Sequence, residues 1–333
     1  MTQYALLGTG VIAGSVLSAI ITWPVRQILL NKSTVQPISE NAPEKHRLKH
    51  GTPTMGGIGI LIAIIIVGTA MITMLPSKSD GKAIGLLLLT MFLGGVIGAI
   101  DDIGKVTGAN NKAGLSERVK LILQLSVAGL FVVGCRQLGF PVQSLSPGLP
   151  PVVVDIIAIV FITGFCNAVN FTDGLDSLLT GVSSVVSLTL GVLLMMSPTV
   201  PLMMGVYGAV AGATLGFLLW NAYPARIFMG DTGSLALGMF FPAAALLTGQ
   251  VWALALCGAV FVLEISSMML QRYVFKYRRL RFGIENARAN RVFRRAPLHH
   301  HFEECGMHEV QVVTMFVVFT LVCAFISLIY GVG

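Results

Sequence analysis

AIGLLLLTMFLGGVIGAIDDIGK, residues 83–105, decides how this chain is to be read. Residues 83–100 carry no charge, and as a helix they extend about 27 Å, close to the thickness of bilayer hydrocarbon. The run ends on two adjacent carboxylates, Asp101 and Asp102, followed by Lys105. An apolar helix that delivers acids at its end implies a membrane span with chemistry at one surface.

The rest of the chain follows the same pattern. Of its 333 residues 55% are hydrophobic and 11% charged, with mean hydropathy +0.82, whereas about a quarter of a soluble domain is charged. In hydrocarbon each segment must pair its own backbone amides, so repeated apolar runs imply helices. Ten spans are predicted, at 4–24, 55–75, 83–100, 119–139, 151–168, 177–196, 201–220, 234–249, 251–272 and 309–331. The expected fold is all-α, one polytopic membrane helical bundle over residues 1–333. The first run lacks a basic stretch ahead of it and reads as a retained span. The five cysteines share no short metal-ligand spacing and read as small apolar residues.

Charge sets the orientation. Nineteen of the 22 lysines and arginines fall in 25–53, 101–120, 221–233 and 272–308, and the same side holds all six histidines and, with Asp173, Asp176 and Glu309 at neighbouring span ends, twelve of the 15 acids. By the positive-inside rule that side is cytoplasmic, and an even number of spans puts both termini outside. The chemistry is therefore expected on the cytoplasmic face. Only Glu264 lies well inside a span, where two readings stand: a structural partner for hydroxyls on a neighbouring helix, or a functional acid.

Four cytoplasmic segments carry the candidate residues. Asp101 and Asp102 repel unless a cation offsets them, and Lys105 can share a helix face with either. Hard Mg²⁺ takes one or two protein carboxylates together with substrate phosphates. In NAVNFTDGLDSLLTG, Asn167, Asn170, Asp173 and Asp176 recur every third residue, with Gly174 allowing a close backbone approach. Asp231, between Gly230 and Thr232, reads either as a helix cap or as a metal ligand, with Asn221 and Phe228 available to a nucleobase. His299, His300 and His301 are consecutive, which is not the spacing of a helical zinc site, so phosphate binding or proton handling fits them better. The arginines of 272–295 hold their loop against anionic headgroups. Lys49, before the turn GTPTMGG, reads as a substrate contact or an orientation charge. Carboxylates for a metal, amides for sugar or base and cations for phosphates together suggest phosphoryl transfer to a lipid at the membrane surface.

GTPTMGG at 51–57, DDIGK at 101–105, NAVNFTDGLD at 167–176, FMGDTGSLALG at 228–238 and APLHHHFE at 296–303 closely resemble, in order, the phospho-N-acetylmuramoyl-pentapeptide transferase family of the polyprenyl-phosphate N-acetylhexosamine-1-phosphate transferase superfamily. The resemblance implies transfer from UDP-MurNAc-pentapeptide to undecaprenyl phosphate, with Mg²⁺, giving lipid I and UMP at the bacterial cytoplasmic membrane. It implies Asp231 as the magnesium ligand, Asp101 and Asp102 in catalysis, and Asp173 near the reacting phosphates. A nucleoside pocket would involve Lys49, Gly174, Leu175, Asp176, Asn221 and Phe228, with His299 and His300 in a substrate loop. A homodimer is expected, with membrane lipid around it and no nucleic-acid partner. Phe171 and Ser177 depart from the Leu and Gly of the family pattern. The enzymatic alternative is a transferase of N-acetylglucosamine 1-phosphate, and the non-enzymatic one a polyprenyl-phosphate carrier.

Overall fold

The computed structural model describes residues 2–31, 51–74, 78–107, 114–140, 142, 148–196 and 199–330. Lys49 lies outside them. Among the described residues there are twelve helices and no β-strand. They are α1 (Gln3–Asn31), α2 (Gly57–Met74), α3 (Lys78–Thr107), α4 (Glu117–Leu138), α5 (Pro151–Thr172), α6 (Leu178–Met196), α7 (Met203–Asn221), α8 (Gly230–Thr248), α9 (Val251–Cys257), α10 (Ala259–Ala289), α11 (Leu298–Glu304) and α12 (Glu309–Tyr330).

Eight of these are long and apolar enough to cross a membrane, and α9 with α10 makes a ninth if the bent pair is one span. The shorter apolar α2 occupies the place of the predicted span 55–75. The chain is a polytopic helical membrane protein. Apolar residues exposed at helical spacing, such as Ile12, Val16 and Ile20 on α1 or Val318, Val322 and Phe325 on α12, form its lipid-facing stripes.

Two expectations change. The span 251–272 is not continuous: it breaks between Cys257 and Ala259 with a bend of 74°. Gly258 at the break has the low helix propensity that permits this, and a side chain there would crowd Phe165. Beyond residue 272, α10 continues to Ala289 through a charged stretch, interrupted at Gly283 with φ 84°. A hydropathy window registers apolar runs and so misses such an extension. Likewise α3 outlasts its apolar run, so Asp101, Asp102 and Lys105 all lie on the helix.

The core is organised around α8, in which every residue from Thr232 to Thr248 is buried. Its main packing partners are α3 and α5. Lipid tails are as apolar as leucine, so membrane helices gain most by close backbone approach through small residues. Against α8, Gly98 of α3 touches the backbone of Asp231 and Thr232, and a Cβ there would overlap both. A similar face joins α1 to α7, where Gly10, Gly14, Gly208, Gly212 and Gly216 alternate in backbone contact.

The bundle has two chemically distinct ends. At one end Asp80 accepts a hydrogen bond from the Leu202 amide (3.2 Å), and Arg136 pairs with Asp155 (2.7 Å). The other end gathers the C-termini of α3, α5 and α7 with the N-termini of α2, α4, α6, α8 and α12. The clustering of acids and bases in alternate loops therefore reflects a shared face.

Replacing Gly98 by alanine forces α3 away from α8 and is expected to destabilise the protein by about 1–3 kcal/mol, as overpacking does. Gly85→Ala, on the same helix with open space around it, should be neutral or slightly stabilising. Thermal unfolding midpoints of the two variants in one detergent check the contrast.

Candidate functional site

The site is assembled from helix ends. Asp102, in the last turns of α3, faces the start of α8. Its Oδ1 accepts from the Asp231 amide (3.1 Å), and its Oδ2 accepts from the Thr232 amide (2.9 Å) and the Thr232 hydroxyl (2.7 Å). A carboxylate thus satisfies the orphan amides of a helix N-terminus from outside its own chain segment, where the helix dipole also favours negative charge. Gly230 turns at φ 73°, and a Cβ there would press on Asp102 and Thr54. These contacts fix where Asp231 emerges.

Asp231 and Asp101 are joined by two lysines. Lys105 Nζ lies 2.7 Å from Asp101 Oδ2 and 3.0 Å from Asp231 Oδ2. Lys120 Nζ, from the first turn of α4, lies 2.8 Å and 2.6 Å from the same two oxygens. The other Asp231 oxygen accepts from Asn170 Nδ2 at 2.9 Å, and that amide also reaches Ser234 Oγ at 2.7 Å. Asp101 is 1% exposed, and its second oxygen accepts from the Leu115 amide (2.7 Å), whereas Asp231 keeps 15% and Lys105 37% of its side chain exposed. Asp101 is therefore an anchor for the lysines, and Asp231 is the acid a ligand can reach.

Asp173 follows the end of α5, where its amide donates to Asn170 O (3.2 Å). Its carboxyl is held well above the usual carboxylate range, first by burial and then by the charges of Asp231, Asp102 and Asp176. The charge of Lys105 acts the other way but does not outweigh them.

The remaining candidates also make contacts that hold the frame together. Asn167 donates to Gln124 Oε1 (2.8 Å) and Thr163 O (2.8 Å), tying α5 to α4. Asp176 is buried, its Oδ2 accepting from the Ala225 amide (2.9 Å), while its own amide donates to Glu309 (2.7 Å). Asn221 accepts from the Ser177 amide (3.0 Å) and Thr180 hydroxyl (2.7 Å) and donates to Ile227 O (3.1 Å). The Leu175 side chain lies in the core. Phe228, half-buried, bonds through its backbone to Pro53 and Gly56, so the GTPTMGG and FMGD segments run together.

The three histidines point apart on the short α11. His299 is buried against Glu264, and its ring lies where a Cβ of Gly174 would fall. His300 meets Glu303 (2.8 Å), yet burial outweighs that carboxylate and lowers its pKa to about 4. His301 accepts from the Arg294 amide (3.2 Å). Glu264 thus binds a histidine rather than hydroxyls of a neighbouring helix. Of the cysteines, Cys305 is exposed and the other four are buried.

Sequence reasoning missed Lys120, Glu309 and the His299 partner. Lys120 stands at the head of an apolar span and counted only towards orientation. It matches no local motif, because its partners lie 19 and 111 residues away.

The oxygens of Asp231, with the amide of Asn170 beside them, suit a hard cation of the kind that takes one or two protein carboxylates together with substrate phosphates, and no thiolate or imidazole lies among them. Burial and the neighbouring acids that hold Asp173 above the usual carboxylate range favour added positive charge here. Among the described residues no group of three or more acids, histidines or cysteines is placed to hold a metal ion by itself.

Two outcomes are expected. Asp173→Asn should raise the unfolding temperature of metal-free protein by removing an unpaired acid. Because the folded pKa is raised, wild-type stability is fullest when Asp173 is protonated and declines as pH rises from about 4; the advantage of Asn should shrink as pH is lowered, and a pH-constant difference would contradict this. Separately, Ser177 sits at φ 71°, a conformation that costs a non-glycine residue about 1–2 kcal/mol. Ser177→Gly should stabilise by up to that amount, less the weak hydroxyl contact to Asn221 O (3.3 Å), as read by thermal unfolding.

Comparison with known proteins places these contacts in context. Residues 84–249 match the family described as glycosyl transferase family 4. Phospho-N-acetylmuramoyl-pentapeptide-transferase of Gemmatimonas aurantiaca is 40% identical over 328 residues, covering 88% of this chain and 84% of that protein. The proteins of the same name from Geobacillus kaustophilus and Bacillus cytotoxicus are 40% and 38% identical, each alignment covering 84% of both chains.

Proposed function

Because the chain belongs to the phospho-N-acetylmuramoyl-pentapeptide transferase family, we propose that it transfers phospho-N-acetylmuramoyl-pentapeptide from UDP-MurNAc-pentapeptide to undecaprenyl phosphate, yielding lipid I and UMP in peptidoglycan synthesis. The observation that carries this reading is the Asp101–Lys105–Lys120–Asp231 cluster at one end of the bundle. Cations able to face phosphates sit there beside reachable acids, where a lipid phosphate and a soluble donor can meet.

In this reaction an oxygen of undecaprenyl phosphate attacks the β-phosphorus of the donor, forming one P–O bond as the bond to UMP breaks. The acceptor's second pKa is about 6, so it is already largely ionised and needs little help from a base. Lys105 and Lys120 leave their carboxylates to meet developing charge on the phosphates, since positioning and charge stabilisation dominate phosphoryl transfer. Asn170 orients Asp231, and Asp102 holds it in place. Asp101, beside the lysines, assists deprotonation or orients the nucleophile, with Asp173, raised in pKa, close to the reacting phosphates. Mg²⁺ held by Asp231 would neutralise charge between the two phosphates. The reading includes the bacterial inner membrane, a cytoplasmic active face with both termini outside, and a homodimer.

Asp231→Asn should abolish turnover, by at least about a hundredfold for one lost charge-stabilising group, while the protein stays folded. The assay is UMP release with undecaprenyl phosphate and each donor offered separately, Mg²⁺ present or chelated. Preference for UDP-N-acetylglucosamine would move the substrate assignment to the related transferases. Wild-type turnover of the variant at limiting Mg²⁺ would remove Asp231 as a ligand.

A further inference from the structure

Glu264 is an acid fully buried on the broken span α10, and the transfer chemistry above does not use it. Its Oε1 accepts from the His299 backbone amide (3.2 Å) and its Oε2 lies 3.0 Å from His299 Nδ1. His299 is 1% exposed, and its other ring nitrogen, Nε2, is buried without a hydrogen-bond partner. That nitrogen is directed at Gly174, where a built Cβ would collide with Nε2, Cε1 and Cδ2. Gly174 directly follows Asp173. The chain of contact therefore runs from an acid inside the bundle, through one imidazole, to the turn that carries Asp173.

We infer that Glu264 is a positioning residue: it fixes the tautomer of His299 with the proton on Nδ1, so that the bare edge of the ring at Nε2 supports the 173–176 turn. A carboxylate can only accept, so with one oxygen on the backbone N–H, the other requires a proton on Nδ1. The lone pair left on Nε2 tolerates, and weakly attracts, the Cα–H groups of Gly174. A proton on Nε2 would instead point an N–H at the glycine backbone with no acceptor there, costing the hydrogen bond and pushing the turn outward. Glycine at 174 and glutamate at 264 are thus two halves of one constraint. Partners that orient a metal-bound imidazole typically matter by about 10–100-fold, and Glu264 is assigned the same orienting role here on an imidazole that carries no metal.

Glutamine at 264 makes a decisive test because of how it must bond. The His299 backbone N–H can only donate, so the glutamine carbonyl oxygen must face it. The NH₂ group then donates to Nδ1, and the ring proton moves to Nε2. Full-length protein labelled with ¹⁵N-histidine in lipid nanodiscs reports this directly, with the His299 signal assigned by its loss in His299→Gln. Wild type is expected to show a pyridine-type Nε2, E264Q a pyrrole-type Nε2 with turnover reduced about tenfold or more. Glu264→Asp should keep the wild-type tautomer and recover most of the turnover.

A protonated Nε2 in the wild type would overturn the inference whether or not any variant folds. So would E264Q with unchanged tautomer and turnover, or equal losses in E264Q and E264D despite different tautomers. Only the activity arm rests on the transferase reading. Wild-type protein that releases no UMP from any donor would defeat that reading, leaving the nitrogen spectrum to judge Glu264.

Discussion

The hydrogen bonds from the first turn of α8 to Asp102 are the contact on which the site depends. A helix buried from Thr232 onward cannot leave its first amides to water, and Asp102 supplies the missing acceptors from the end of α3. The same crossing is close enough that only glycine fits at position 98. Asp231 is therefore placed by backbone packing, and its side chain need not find its own position. Its neighbour Asp101, one residue before Asp102, is set by the same helix to face the lysines.

Charge in the site is compensated unevenly. Lys105 and Lys120 bridge Asp101 and Asp231, so two acids share two cations at distances of 2.6–3.0 Å. At Asp173 burial and three acidic neighbours outweigh the charge of Lys105, so its carboxyl is held above the usual carboxylate range. On the proposed reaction, that imbalance is relieved by positive charge brought to the site. The lysines suit that task because a compact ammonium on a flexible stem can exchange a carboxylate for a phosphate oxygen.

Around this centre the loops are cross-braced. Asn221 binds the 177–180 turn and Ile227, Asp176 binds Ala225, and Glu309 at the head of α12 binds the Asp176 amide. Several residues that look available to a ligand in the sequence thus have their polar atoms engaged in holding one loop to the next. The bent α9–α10 pair contributes by carrying Glu264 to His299, beneath the turn at Gly174.

The lipid-embedded helical class, the approximate place of most apolar helices and the grouping of the chemistry at one end were all readable in the chain before any packing was known. Uncharged runs near the bilayer thickness and the confinement of charge to alternate loops are local properties that no later packing can reverse. Asp101, Lys105, Asn170 and Asp231 were legible as candidates because polar residues at the ends of apolar spans stand out against such a background. The contacts that each of them makes became visible in the packed bundle alone. Asp102 became a cap, Asn221 a brace, Lys120 a bridge and Glu264 the partner of a histidine 35 residues away. A carboxylate's role is set by which donors surround it and how far it is withdrawn from water, and those neighbours come from other helices, so no local spacing encodes them.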